Sequence, residues 1–392
     1  MSRKSLVEDT IDEFGEVVGS WDGTFHSAGV AVAGAVVVVA SVTSDDKLEN
    51  TINGEGRLNV LPGLWCDLLS AHLRVATHMT SGGVSGAFGE QVVLVQILHR
   101  LSLSCTRWIL PVFYLLNHTL LVLAFQLPEA EQQECARLLN KSVTICLTDR
   151  QLLRESRKWG AYRMMAMLFR VYFKLDQLNL CGNVLRAVGA ADLPGAERYP
   201  KAHLVEFKYL LGRYYFVNGE YSRSEAELLV AFEHCPVDAF HNKQLILHYL
   251  IPLRVLLRGL RPSGELLKRY GLDHSFYVSA LAALKSGDLS QYQELITSSE
   301  GTLLRLGTFL LWEKLILFGW RNLVRKIFLL AGSNSRMQLT TLPTAVGLSV
   351  DEIACYIANL IERGLVRGYI SQEKSTLVLS QKDPFPITSL LK

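Results

Sequence analysis

The sequence predicts an all-α fold, an α-solenoid of paired helices that closes in a small winged helix. Three observations carry this reading. Apolar residues recur at helical spacing from about Leu64 to Gly332. Strand-like alternation is confined to the last stretch of the chain. One segment, LGRYYFVNGEYSRSEAELLVAFEHCP (Leu211–Pro236), reads as two helices joined by a tight turn. The 392 residues are 49% hydrophobic and 20% charged, enough to fill a large core, which excludes a disordered chain. A formal net charge of +3 excludes wholesale attraction to polyanions, so any such binding has to come from local clustering.

In chain order the expected divisions are a divergent N-terminal segment (1–63, partly helical or disordered), a helical repeat array (64–320), a winged helix (321–386) and a tail (387–392). The valine-rich run Ala28–Val42 is short and follows Glu8, Asp9, Asp12, Glu13 and Glu16, where a signal peptide needs basic residues. In the array, Leu64, Leu68, Leu69, His72 and Leu73 are expected to share an inward face. SGGVSGAFGE (Ser81–Glu90) reads as a flexible loop, because it lacks the Lys-Ser/Thr of a phosphate loop. Trp108–Leu127 is uncharged over about the length a bilayer requires. Pro111, Asn117 and His118 interrupt it, and it is read as a buried helix with no membrane partner. Tyr162, Met165, Leu168, Phe169 and Tyr172 mark a second inward face. Gly182, Pro194-Gly195, Gly219, Pro236, Pro262, Gly287 and Gly332 punctuate the runs.

Leu211–Pro236 fits a tetratricopeptide-type repeat of roughly thirty-four residues. Leu211 and Gly212 supply a large and then a small residue, and Tyr215 follows one turn later. Gly219 sits at the hairpin, where positive φ ends a helix at no steric cost, and Tyr221 packs behind it. Ser224 and Ala231 allow close approach of the second helix, and Pro236 stops it. Gly287-Asp288-Leu289 echoes the turn, and Lys174–Val188 is a looser copy. A single helical hairpin cannot bury its own apolar face, so such units stack into a scaffold.

After Gly332 the pattern changes. Ser349 and Glu352 make a capping box ahead of a helix carrying Ile353, Tyr356, Ile357, Leu360 and Ile361. Two short strands then pair across Gln372–Ser375. Helix and hairpin together indicate a winged helix.

A degenerate helical array running into a winged helix resembles the PCI family, shared by subunits of the proteasome lid, the signalosome and a translation initiation factor. RESRKWGAYRMMAMLFRVYFKLDQLNLC, LLVAFEHCP and ERGLVRGYISQEKSTLVLSQKDPFP resemble in particular the Thp-one-like subunits of the TREX-two transcription-coupled messenger-RNA export complex. The resemblance implies a non-enzymatic scaffold in the nucleus, at the nuclear pore. The implied partners are a large germinal-centre-associated (Sac-three-like) PCI scaffold, a small acidic disordered protein of the proteasome-lid type, and RNA or DNA bound without sequence specificity. A PCI subunit of the signalosome, proteasome lid or initiation factor is the alternative within the same architecture.

Candidate nucleic-acid contacts are Arg321, Arg325 and Lys326 on the helix entering the winged helix, Arg363 and Arg367 flanking the hairpin, Lys374 in the wing, and Lys382. Arg321 and Arg325, spaced i, i+4, are expected to share a face that tracks phosphates. The winged-helix helix begins Asp351-Glu352, which disfavours reading of base edges in a major groove. Arg154, Arg157, Lys158, Arg163 and Lys174 are candidate contacts for the acidic protein, and Val366, Tyr369 and Leu377 are candidate exposed apolar contacts for a partner.

No catalytic arrangement emerges, and neither a cofactor, a metal nor a small-molecule substrate is expected. His72 and His78 are six apart and cannot face one metal from one helix, and neighbouring His234 and Cys235 diverge. The seven cysteines are scattered without a C-x-x-C pair, as in reduced thiols of a cytosolic or nuclear protein.

Overall fold

The computed structural model describes residues 63–273, 276–341 and 349–386. The expectations for the N-terminal segment and the tail fall outside them. The chain divides into two compact units, Met1–Leu210 and Leu211–Lys392.

The first unit contains α1 (Gly63–Thr80), α2 (Val84–Ser102), α3 (Leu110–Phe125), α4 (Glu129–Leu147), α5 (Ala161–Lys174), α6 (Leu178–Ala190) and the first ten residues of α7 (Lys201–Val217). Consecutive helices pack on one another, α1 on α2, α2 on α3 and α4 on α5. The expected α5 face is buried throughout: Met165, Leu168 and Phe169 have no exposed surface, and Tyr162 and Tyr172 are also buried. In α1 the expected Leu68 is buried, together with Ala71 and Val75, whereas Leu69, His72 and Leu73 are half-buried and Leu64 is exposed. The expected Ser81–Glu90 loop is also corrected. Only its first residues turn, and α2 starts at Val84, because Ala87, Phe88, Gln91 and Leu94 bury one helical face whose packing outweighs two glycines. Gly182 likewise lies inside α6 rather than breaking it.

Residues Arg107–Phe125 are long and apolar enough to cross a membrane by length and composition, and more than half of that span is buried inside the protein. Its fully buried polar residue, Asn117, is satisfied within the core. Asn117 donates to the Phe113 carbonyl (2.7 Å) and accepts from Ser142 Oγ (2.7 Å), which lies 2.8 Å from His99 Nε2.

The second unit continues with the rest of α7, then α8 (Tyr221–His234), α9 (Phe240–Arg258), α10 (Gly264–Arg269), α11 (Phe276–Ser286), α12 (Leu289–Leu306) and α13 (Phe309–Leu330). The hairpin at its start matches its sequence. Ser224 and Ala231 are fully buried, and Ser224 Oγ donates to the Gly212 carbonyl at 2.8 Å. A Cβ on Gly212 would lie 2.6 Å from Leu228 Cγ, so the approach requires glycine. The three predicted turns share one geometry. Asp176, Gly219 and Gly287 take φ of 54°, 77° and 74°. The next amide reaches back five residues, Gln177 to Tyr172 (2.9 Å), Glu220 to Tyr215 (2.9 Å) and Asp288 to Ala283 (3.0 Å). This is the Schellman closure, which satisfies carbonyls left open at a helix end.

α13 runs across residue 320 without a break and leads into the winged helix. Its Trp312 and Trp320 are almost completely buried, each worth roughly 4–6 kcal/mol by area removed from water. Beyond it come β1 (Arg336–Gln338), α14 (Val350–Glu362), β2 (Gly368–Ser371) and β3 (Thr376–Leu379). The sheet is antiparallel in the order β1-β3-β2. β1 escapes sequence reading because it is three residues long with one inward side chain, Met337. Both halves of the Ser349–Glu352 capping box form, Glu352 holding its carboxyl below the usual range through bonds from Ser349. Ile353, Ile357 and Leu360 face the core, whereas Tyr356 is partly exposed and stacks on Trp320 at 4.4 Å.

Candidate nucleic-acid and partner interfaces

The winged helix separates its basic residues into anchored and available ones. Arg321 is buried. Its guanidinium donates to the Phe385 carbonyl (2.5 Å) and the Pro386 carbonyl (3.2 Å), and burial lowers its pKa. The terminal DPFP run is therefore pinned to α13 by Arg321, which withdraws that residue from the phosphate surface the sequence placed it on. One turn on, Arg325 and Lys326 are exposed and carry no ion pair among the described residues. Arg367 is exposed and pairs with Asp383 (3.3 Å), both groups half in water, a contact worth little to stability. Its backbone is fixed from two sides, the amide donating to the Pro384 carbonyl (2.9 Å) and the carbonyl accepting from Ser380 (2.8 Å). The loop that holds Asp383 also carries exposed Lys382, whose amide donates to Ser380 Oγ (3.2 Å). Arg363 closes α14 against Asn359 (2.7 Å). Lys374 is exposed in the β2–β3 turn, at the other end of the hairpin from Arg367 and Lys382 and so roughly 15 Å away. Arg325, Arg367 and Lys382 are thus grouped with the terminal loop, while Lys374 is apart.

The expected apolar contacts split in the same way. Val366 (1% exposed) and Leu377 (0%) are core residues, because strand alternation sends Leu377 inward opposite Met337 and Ile370. Tyr369, on the opposite face, is 62% exposed.

On the first unit, two of five basic candidates are structural. Arg157 is buried against Asp149, its backbone amide donating to Oδ2 (2.6 Å) and its Nη2 to Oδ1 (3.1 Å), and it also bonds the Ser102 carbonyl. Burial raises the Asp149 pKa, but the Arg157 bonds outweigh it and leave the carboxyl at about 2. Arg163 and Arg170 share buried Glu206. Burial opposes ionisation there too, and the two guanidiniums overcome it, bringing Glu206 to about 2. Lys158 donates to the Asp192 carbonyl (2.6 Å). Arg154 and Lys174 are exposed and make no ion pair among the described residues. The sequence could not separate these cases, because Asp149 and Glu206 lie eight and forty-three residues from their arginines.

One pair has the spacing of a nucleophile and its base, Ser142 and His99 at 2.8 Å, but both are fully buried and burial drives His99 down to about 4. Among the described residues no group of three or more His, Cys, Asp or Glu is placed to hold a metal. Five of the described cysteines are buried free thiols and Cys355 is an exposed one.

The sequence pattern of the PCI domain matches residues 289–381, from the start of α12 to just past β3. Relatives extend the likeness along the chain. The protein CSN12 homolog of Schizosaccharomyces pombe is 34% identical over 377 residues, covering 89% of this chain and 88% of its own. PCI domain-containing protein 2 of Xenopus laevis is 32% identical, covering 83% and 86%. The Drosophila melanogaster PCI domain-containing protein 2 homolog is 31% identical, covering 83% and 85%. The chain belongs to the PCI family. The match holds α12, α13 and the winged helix through β3, so the available cations Arg325, Lys326, Arg367 and Lys374 fall inside it and Lys382 just after it. PCI proteins generally serve as scaffolds, and the helical array ending in a winged helix is the architecture of one.

On the winged helix, sequence reasoning missed the exposed cation Arg336. It lies on β1 beside the wing, and its only sequence signal was membership in an unrecognised strand.

Proposed function

We propose that this chain is a non-catalytic scaffold subunit of a PCI-built assembly. It pairs with a second PCI protein through the winged helix and presents a basic surface to RNA or DNA without sequence preference. The observation that carries the reading is the arrangement of charge on the winged helix. Arg325, Arg367 and Lys382 are exposed around the terminal loop and Lys326 is exposed beside Arg325 on α13, while α14 opens with Asp351 and Glu352. Cations at the flanks favour backbone phosphates, and two carboxylates at the helix start oppose base-edge reading.

For the assembly, relatives named CSN12 homolog in several fungi favour a signalosome-type complex. The second reading is the TREX-two messenger-RNA export complex at the nuclear pore, supported by the resemblance of the α5–α6, α7–α8 and C-terminal segments to Thp-one-like subunits. Affinity purification of the tagged endogenous chain with mass spectrometry decides between them. Signalosome PCI subunits in the eluate support the first. The Sac-three-like scaffold with the small acidic protein supports the second. An eluate without any second PCI protein refutes the scaffold reading.

A further inference from the structure

The outer face of the three-stranded sheet carries a side-chain pattern that the scaffold reading does not use. The register places Arg336, Val378 and Tyr369 in one row across β1, β3 and β2, and Gln338, Thr376 and Ser371 in the next. Met337, Leu377 and Leu379 occupy the inner face and are buried, so the two rows face solvent. Tyr369 is 62% exposed and stacks on no other ring among the described residues. Arg336 is exposed and makes no ion pair among the described residues. None of the six positions carries an acid, and exposed Lys374 lies in the turn just beyond Ser371 and Thr376.

An exposed tyrosine normally packs against apolar neighbours when it serves a protein interface, whose buried centre is apolar. Here, among the six register positions described, Val378 is the apolar neighbour of Tyr369, and the rest are hydroxyls, an amide and a guanidinium. An unpaired aromatic ring on a sheet, flanked by a cation and hydrogen-bonding groups, suits an unstacked base. Two strand spacings separate Tyr369 from Arg336, roughly 10 Å, the reach from a stacked base to a phosphate of the neighbouring nucleotide.

We infer that the outer sheet face of the winged helix is a binding platform for single-stranded nucleic acid. Tyr369 stacks one base, and Arg336 and Lys374 hold phosphates on either side of it. The inference rests on the nucleic-acid part of the proposed function and adds a base-contacting residue to it. A single-stranded partner also fits the acidic start of α14, which disfavours a duplex groove.

The test is fluorescence anisotropy of the full chain, with its co-purified assembly where one is required, on a labelled fifteen-nucleotide oligouridine and an abasic strand of equal length across a salt series. Tyr369→Ala is expected to weaken oligouridine binding about tenfold, the scale of one lost base stack, with the salt slope unchanged. Tyr369→Phe keeps wild-type affinity, and the abasic strand does not distinguish Tyr369→Ala from wild type. Arg336→Gln weakens both strands and lowers the salt slope by about one. Circular dichroism melts verify that each variant folds. Three results overturn the inference. If Tyr369→Ala binds oligouridine normally while Arg325→Glu with Lys326→Glu does not, the basic surface stands and the platform falls. If Tyr369→Ala releases a second PCI protein instead of nucleic acid, the face is a protein interface. If the wild type binds neither strand at low salt, the platform and the nucleic-acid part of the proposed function fall together.

Discussion

Arg321 and Arg325 lie one turn apart on α13, carry the same charge, and have opposite predicted roles. Replacing Arg321 with Ala deletes donors to the Phe385 and Pro386 carbonyls, each a charge-assisted bond of roughly 1.5–3 kcal/mol. Both acceptors belong to residues buried against the winged helix, so the carbonyls lose their partner without full access to water. The expected cost is roughly 3–5 kcal/mol, the sum for two buried acceptors that each lose a charged donor. At about 2–4 °C per kcal/mol for a unit of this size, the melting temperature falls by roughly 6–20 °C. Arg321→Lys keeps the charge but not the forked geometry, and is expected to fall between wild type and Arg321→Ala. Arg325→Ala is expected within about 0.5 kcal/mol of wild type, as at other exposed sites, while weakening binding to single-stranded RNA at low salt. Urea unfolding followed by circular dichroism measures the stabilities. An Arg321→Ala midpoint equal to that of Arg325→Ala would refute the argument that the terminal loop is pinned by a buried guanidinium.

Further predictions follow the same physics. Added methyl groups at three glycines are expected to rank by cost in thermal melts. Gly287→Ala is worst, since φ is 74° and the new Cβ would lie 2.8 Å from the Leu323 backbone; Gly212→Ala displaces the Leu228 side chain; and Gly219→Ala, with open space around it, costs about 1 kcal/mol for positive φ alone. Acid should destabilise the first unit in two stages. Burial holds His99 and His118 at about 4, below the unfolded value of 6.5, so the stability their neutral forms contribute is present above 6.5 and lost as pH falls toward 4. Glu206 and Asp149, held at about 2 by their arginines, contribute above their unfolded values near 4 and lose that contribution as pH falls toward 2. His99→Gln, which keeps a partner for Ser142, is expected to flatten the first stage in melts between pH 7 and 5, and an unchanged slope would remove His99 from the account.

The sequence made the fold legible where local chemistry decides structure. Gly219 and Gly287 announced hairpins because a helix ending in positive φ favours glycine, and the same closure forms at Asp176 in the looser third copy. Ser349 and Glu352 announced the start of α14 for a similarly local reason. It was misleading where tertiary burial decides. Gly86 and Gly89 read as loop, yet α2 forms through them because Phe88, Leu94 and Leu98 have a core to enter. In the candidate sites the limit was pairing over distance. Nothing near Arg157, Arg163 or Arg321 in the chain shows that Asp149, Glu206 or the Phe385 carbonyl will claim them. Lys326 and Lys374 look no different in sequence and remain available. Val366 and Leu377 were read as exposed strand residues, and only the register of β3 against β1 and β2 shows Leu377 facing inward.

Cross-linking mass spectrometry of the natively purified assembly tests the central claim most directly. Links are expected from Lys326, Lys374 or Lys382 to the winged helix of a second PCI protein. A chain that elutes alone, or whose links never reach another PCI subunit, would contradict it.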